Sequence, residues 1–214
     1  PQRPIAMMRE YVALLRECLS GESVTFEGDF WQVKRFRLGV RLGDRRPKIV
    51  MAALNPQMLR LAGQIADGVL LNYIPASHVA ASVERVRSGG SAKMFAYVHA
   101  AVSELNARTA NSARKDLFNH AMADGYANMF RAAGFADEVA VLRQRQAERD
   151  RDGALAAISE EMIQAIDFIG SGSEVSSFVQ SYRDAGVAHP VLMPMPWGED
   201  RRAVTEATMT AAID

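Results

Sequence analysis

The strongest constraint on this chain is an alternation of short apolar runs and amphipathic stretches between residues 49 and 102. Ile49-Val50-Met51-Ala52-Ala53-Leu54 is continuous and apolar, which is the pattern of a strand buried on both faces of a parallel sheet. Asn55-Pro56 follows as a helix N-cap and a first helical position. Met58, Leu59, Leu61, Ala62 and Ile65 then recur on one helical face. Asp67-Gly68 turns the chain into a second apolar run, Val69-Leu70-Leu71-Asn72. Val79, Val83 and Val86 mark another helix, Gly89-Gly90 ends it, and Met94 to Val102 reads as a third strand. Strand, helix, strand, helix, strand with short links requires right-handed βαβ crossovers and hence a parallel sheet.

The flanks extend this pattern. Arg3 to Leu19 reads as an amphipathic helix, with Gly21 stopping it, and Val24 to Val33 as a hairpin turning at Gly28-Asp29. A basic loop, Lys34 to Lys48, joins the hairpin to the first buried strand. Between Ala113 and Ile169 the pattern becomes helical. Leu117/Phe118, Ala121/Met122, Gly125/Tyr126 and Met129/Phe130 repeat every four residues as one broad face. Glu138 to Arg149 and Glu160 to Phe168 read as further helices. Ser173 is the expected cap of a helix carrying Val175, Phe178, Val179 and Tyr182, and Val191-Leu192-Met193 is the expected fourth strand. A last helix begins near Arg201. Four strands in 214 residues fall short of a closed eight-stranded barrel, which takes about 250 residues. The sheet is therefore open or is part of a barrel.

Composition narrows the function classes. Lys plus Arg and Asp plus Glu both number 25, so nothing marks a nucleic-acid binder. The single cysteine, Cys18, excludes an internal disulfide and a cysteine-rich metal site and fits a reducing cytoplasm. No apolar run reaches the ~18 residues of a membrane span. The basic run Lys34, Arg35, Arg37, Arg41, Arg45, Arg46 and Lys48 reads as a solvated loop. Gly170-Ser171-Gly172-Ser173 follows no expected strand and reads as a helix cap rather than a phosphate cradle. Of the histidines, His99 lies in the third strand near its end and is the one expected to aim at a site. His78, His120 and His189 have no metal-ligand spacing and read as surface or packing groups.

The run Ala52-Ala53-Leu54-Asn55-Pro56-Gln57-Met58-Leu59-Arg60-Leu61-Ala62-Gly63, continued by Ala66-Asp67-Gly68-Val69-Leu70-Leu71-Asn72, resembles the luciferase-like flavin and deazaflavin oxidoreductases. The branch it most resembles is the methylenetetrahydromethanopterin-reductase-like proteins that use coenzyme F420. Arg9-Glu10-Tyr11, Phe26-Glu27-Gly28, Gly134-Phe135 and Tyr182-Arg183-Asp184-Ala185-Gly186-Val187 agree in order. The resemblance implies a (β/α)8 barrel with a helical insertion before its last strand. It places this chain, residues 1–214, as the C-terminal part of one such domain, with the insertion at about 111–170.

The same resemblance implies hydride transfer with F420, FMN-dependent monooxygenation being the alternative within the fold. A catalytically silent half-barrel that binds a partner is the alternative outside enzymology. Cofactor contacts are expected at Ala53, Leu54, Asn55 and Pro56, where a helix start offers N–H groups to a phosphate, and at Asn72 and Tyr73 in the next loop. No metal is expected, and catalytic residues are not assigned. The expected partners are a small-molecule substrate and further copies of the chain, because unpaired strand edges at Ile49–Leu54 and Val191–Met193 invite pairing.

Overall fold

A computed structural model describes residues 3–40, 42–43 and 45–211. The elements in chain order are α1 (Pro4–Cys18), the hairpin β1 (Val24–Glu27) and β2 (Gln32–Phe36), β3 (Val50–Ala52), α2 (Pro56–Ile65), β4 (Gly68–Leu71), α3 (Ala76–Arg87) and β5 (Lys93–Val102). They continue with α4 (Ala107–Ala121), α5 (Asp124–Ala132), α6 (Ala136–Ala147), α7 (Arg151–Ala156), α8 (Glu160–Ile166), β6 (Asp167–Gly170), α9 (Gly172–Asp184), β7 (His189–Pro194) and α10 (Arg201–Ala211). The chain divides into two compact units, Pro1–Val69 with Arg85–Ala92, and Leu70–Glu84 with Lys93–Asp214.

The first unit is tied together by two carboxylates. Glu10 on α1 accepts the N–H groups of Asp29, Phe30 and Trp31, each at 2.9 Å, so the hairpin turn is pinned to the helix. Asp67 accepts the Ile49 N–H at 2.8 Å and pairs with Arg16 at 3.3 Å. That backbone donor, helped by Arg16 and Lys48, holds the Asp67 carboxyl below its ordinary value. Asp67 thus couples the entry of β3 to the turn before β4. Lys34, Arg35, Arg37, Arg45, Arg46 and Lys48 are exposed, as expected of a solvated loop, while Arg41 lies outside the described residues. At Gly63, Gly89 and Gly90 two backbones come into direct contact. A side chain at Gly63 would meet the Val86 carbonyl, and one at Gly90 the Gly63 carbonyl. Gly89-Gly90 therefore does more than end α3, because it lets α2 seat against that end.

In the second unit β5 is the axis. It pairs in parallel with β7 from Phe95↔His189 to Ala100↔Pro194, and with β6 from His99↔Asp167 to Val102↔Gly170. Met94, Ala96, Val98 and Ala100 are buried, with α9 and α10 packed on β5. The alternate residues Phe95 and Tyr97 are half-buried, and their neighbour Met193 on β7 is 38% exposed. One face of this sheet is covered by helices, and the other is apolar and partly open.

Two sequence expectations need correction. The segment Glu160 to Phe168 is not one helix, because α8 ends at Ile166 and Asp167–Gly170 forms a strand. An apolar stretch this short carries no period that separates helix from strand. The cap of α9 is Ser171 rather than Ser173. Its hydroxyl accepts from the Glu174 N–H, and Glu174 closes a capping box on the Ser171 N–H at 2.8 Å. The four-residue repeat from Leu117 to Phe130 spans a break between α4 and α5. Arg143 seals it by donating to the carbonyls of Ala121 and Met122 and to the Asp124 carboxylate. No helix among the described residues is long and apolar enough to cross a membrane.

The glycine contact yields a direct expectation. Gly63→Ala forces two backbones apart and lowers stability by roughly 1–3 kcal/mol, read as a reduced urea midpoint at unchanged slope. Gly125→Ala, where an added Cβ meets nothing, leaves the midpoint in place.

Candidate functional site

Two loops at the carboxyl ends of strands carry the residues expected from the sequence. Ala53 to Pro56 lies in the first unit, after β3. Ala53 is buried, Leu54 is half-buried, and Asn55 and Pro56 are exposed. Asn55 is extended (φ −82°, ψ 151°), and its Oδ1 accepts the Met58 N–H at 2.9 Å. Pro56 has no N–H, so Gln57 supplies the one first-turn donor without a described partner. The capping role of Asn55 is thus visible in the geometry, and it leaves a narrow anchor for an anion.

Asn72 and Tyr73 follow β4 in the second unit, and here the structure assembles more than the sequence predicted. Tyr73 is buried and left-handed (φ 51°), a conformation that costs an aromatic residue about 1–3 kcal/mol. Its ring is sandwiched between His99 at 4.0 Å and His120 at 3.6 Å, with Tyr126 edge-on at 5.8 Å. The Tyr73 hydroxyl donates to Asp116 at 2.7 Å. Asn72 donates to the Tyr126 hydroxyl at 3.1 Å, while its own Oδ1 is buried with no partner. The His120 Nδ1 lies 2.9 Å from the Asp116 carbonyl, a contact that places the proton on Nδ1 and leaves Nε2 as the acceptor.

Behind this stack sits Asp167, the first residue of β6. It is fully buried, and neither of its oxygens has a hydrogen-bond donor. His99 Nδ1, also buried and unpartnered, is 4.0 Å away. Burial first, and then the neighbouring Asp116 carboxylate, push Asp167 well above the ordinary carboxyl range. The Asp116 carboxylate is the acceptor of the Tyr73 hydroxyl, and neither oxygen of Asp167 has a hydrogen-bond partner. Burial depresses His99 to about 4, and the imidazole is neutral at pH 7. Burial and the Asp116 contact raise the Tyr73 phenol, which stays protonated.

His99, expected near the end of its strand and aimed at a site, stacks on Tyr73. His120 was expected as a surface or packing group and packs as one wall of the stack. Asp116, Tyr126 and Asp167 were not singled out, and no local motif marks them, because three separate elements bring them together. His78 is half-buried and His189 is exposed, stacked on Phe95 at 4.8 Å. No group of three His, Cys, Asp or Glu among the described residues is placed to hold a metal ion.

The sequence profile described as luciferase-like monooxygenase matches residues 1–189. The chain belongs to that family. Within it, the chain is similar to the 5,10-methylenetetrahydromethanopterin reductase of Archaeoglobus fulgidus, at 24% identity over 94% of this chain and 63% of that protein. Its fold matches the coenzyme F420 dependent tetrahydromethanopterin reductase from Methanopyrus kandleri, with a TM-score of 0.78 at 21% identity, over 98% of this chain and 63% of that one. An F420-dependent secondary alcohol dehydrogenase in complex with an F420-acetone adduct matches with a TM-score of 0.62 at 15% identity, over 100% of this chain and 64% of that one. The chain thus has the α/β fold of the luciferase-like family and spans under two thirds of these relatives' length.

Two outcomes test the site as described. Asn55→Ala removes the α2 cap and costs about 1 kcal/mol of stability by chemical denaturation, whereas Asn55→Asp keeps the cap and the stability. The second concerns pH. Asp167 binds its proton more tightly in the folded state, so stability falls as pH rises from its unfolded value near 3.9 toward the raised folded value. His99 opposes this between about 4 and 6.5, where the folded state holds fewer protons and stability grows with pH. Above pH 6.5 the Asp167 effect continues, and at about pH 10 the raised Tyr73 and Tyr182 phenols add to the same decline. Melting temperature should fall from pH 6.5 to 9 in the parent, and Asp167→Asn should flatten that decline.

Proposed function

We propose that this chain is part of an oxidoreductase that uses the deazaflavin coenzyme F420. The observation that supports this reading is the match, along nearly the whole chain, to an F420-dependent reductase in fold and to a methylenetetrahydromethanopterin reductase in sequence. When bound, a deazaflavin supplies a hydride donor and acceptor. The residues present fit such a group in two respects. The Gln57 N–H at the positive end of α2 suits an oxygen of an anionic tail, with Asn55 fixing the turn that aims it. The buried Asn72 Oδ1 is an acceptor that lacks a donor and suits a ligand N–H or hydroxyl.

In this reading Ala53, Leu54, Asn55 and Pro56 shape one cofactor contact, and Asn72 and Tyr73 another. The substrate is a small molecule with a carbon that accepts or yields a hydride. The chain associates with copies of itself through strand edges. FMN-dependent monooxygenation is the second reading, favoured by the family's own description.

Titration of the full-length protein with F420 and with FMN, followed by fluorescence, separates the two. F420 binding is expected. Tight FMN binding without F420 binding overturns the proposal. Asn55→Asp, which keeps the cap but sets a charge beside the anion, should weaken F420 binding at least tenfold. Unchanged affinity would move the anionic tail elsewhere.

A further inference from the structure

A cavity of about 260 Å³ in the second unit shares no residue with the Tyr73 stack or with the cofactor contacts proposed above. Arg108, Ser112, Pro196, Trp197, Gly198 and Arg201 line it. We propose that it binds an oxyanion, a carboxylate or phosphate carried by the substrate, between the guanidinium groups of Arg108 and Arg201. Calling the ligand a substrate rests on the oxidoreductase reading, whereas the binding of an oxyanion does not.

Three observations carry this assignment. The first is position. The helix α4 follows the carboxyl end of β5, and the segment 195–200 follows the carboxyl end of β7, which pairs with β5 in parallel. The cavity lies between them, at the end of the sheet where parallel α/β folds take their ligands. It is neither a strand edge nor a sheet face, because its walls are α4, the start of α10 and the segment between β7 and α10. That segment is fixed. The Met195 N–H donates to the Ala100 carbonyl and the Trp197 N–H to the Met195 carbonyl, both at 2.8 Å. Gly198 sits so close to Val204 and Ser103 that a Cβ there would meet both. Trp197 is therefore carried on a preorganised turn.

The second observation is charge. Among the described residues the Arg201 guanidinium has no hydrogen-bond or ion-pair partner. Arg108 has one carboxylate, Glu199 at 3.8 Å, with the two side chains 65% and 96% exposed. A pair this long and this exposed contributes little and is readily exchanged. The other acids of this helix start are committed. Asp200 accepts the N–H groups of Arg202 and Ala203 at 3.0 Å each, and Glu206 pairs with Arg202 at 2.7 Å.

The third is the placement of the two cations. Arg108 is the second residue of α4 and Arg201 the first of α10. The helix dipole disfavours a cation at both positions, so neither arginine is there for its own helix. Guanidinium groups from two elements can grip one oxyanion through charge-assisted hydrogen bonds, and the Trp197 ring supplies an apolar flank for the carbon that carries it. Glu199 is then the internal competitor, a carboxylate that holds Arg108 until the ligand's own anion replaces it.

Calorimetric titration of the full-length protein with sodium phosphate and with sodium acetate, at pH 8 and an ionic strength held constant with sodium chloride, tests the site. Saturable binding of phosphate or acetate is expected. Arg108→Gln and Arg201→Gln should each weaken it at least tenfold, and the double variant should abolish it. Glu199→Gln should tighten it about threefold by removing the competitor. All three side chains are exposed, and circular dichroism confirms that each variant is folded. Absence of saturable binding in the parent overturns the site, as does binding that survives in the folded double variant. Parental affinity in Glu199→Gln overturns the competitor role. Saturating F420 should leave the affinity for phosphate or acetate unchanged, and competition would overturn the assignment to the substrate. Failure of the parent to bind F420 counts against the oxidoreductase reading alone, so the two failures are distinguishable.

Discussion

A carboxyl group buried at the start of a parallel strand is the constraint on which the second unit turns. Among the described residues Asp167 has no hydrogen-bond donor and no lysine or arginine partner, and burial pushes its carboxyl well above the usual range. That burial sets the company it keeps. Asp116 comes from α4, His99 from β5 and Tyr73 from the end of β4, and each is held by contacts that the others share. The helices α4 and α5 are thereby tied to the sheet by polar contacts as well as by Leu117, Phe118 and Phe130. Replacing such a group by an apolar one is often neutral or stabilising elsewhere, so its presence here is an argument from function rather than from stability.

The first unit solves a simpler problem by the same means. Glu10 and Asp67 are partly exposed carboxylates that gather backbone donors, three for Glu10 and one for Asp67. The contrast is physical. A carboxylate that receives N–H groups at the surface organises a turn, whereas burial without donors pushes a carboxyl's pKa up. The loop Leu54-Asn55-Pro56 is a conventional helix start, with the Asn55 Oδ1 accepting the Met58 N–H.

Much of the fold was legible because βαβ units write their period directly into sequence. The apolar runs at Ile49–Leu54, Val69–Asn72 and Met94–Val102, and the caps between them, appear where expected. The strand Asp167–Gly170 was not legible. Four residues after a helix carry no period, and an acidic first residue argues locally against a buried strand. The candidate site was legible only at Asn55, Asn72, Tyr73 and His99, which sit at strand ends or within a strand. Asp116, His120 and Tyr126 lie on helices whose pattern reads as ordinary packing.

By itself the sequence determined the class: parallel strands alternating with helices, a helical insertion, and membership of the luciferase-like family. Hydrophobic periodicity and capping are local, and they survive without knowledge of the partners. Only the tertiary structure decided that Tyr73 adopts a left-handed backbone between two imidazoles and that Asp167 is buried without a hydrogen-bond donor. Those facts depend on contacts between residues far apart in sequence, such as Tyr73 with His99 and with Asp116. The charge state of a buried acid is set by what surrounds it in space, and no local pattern of residues records that.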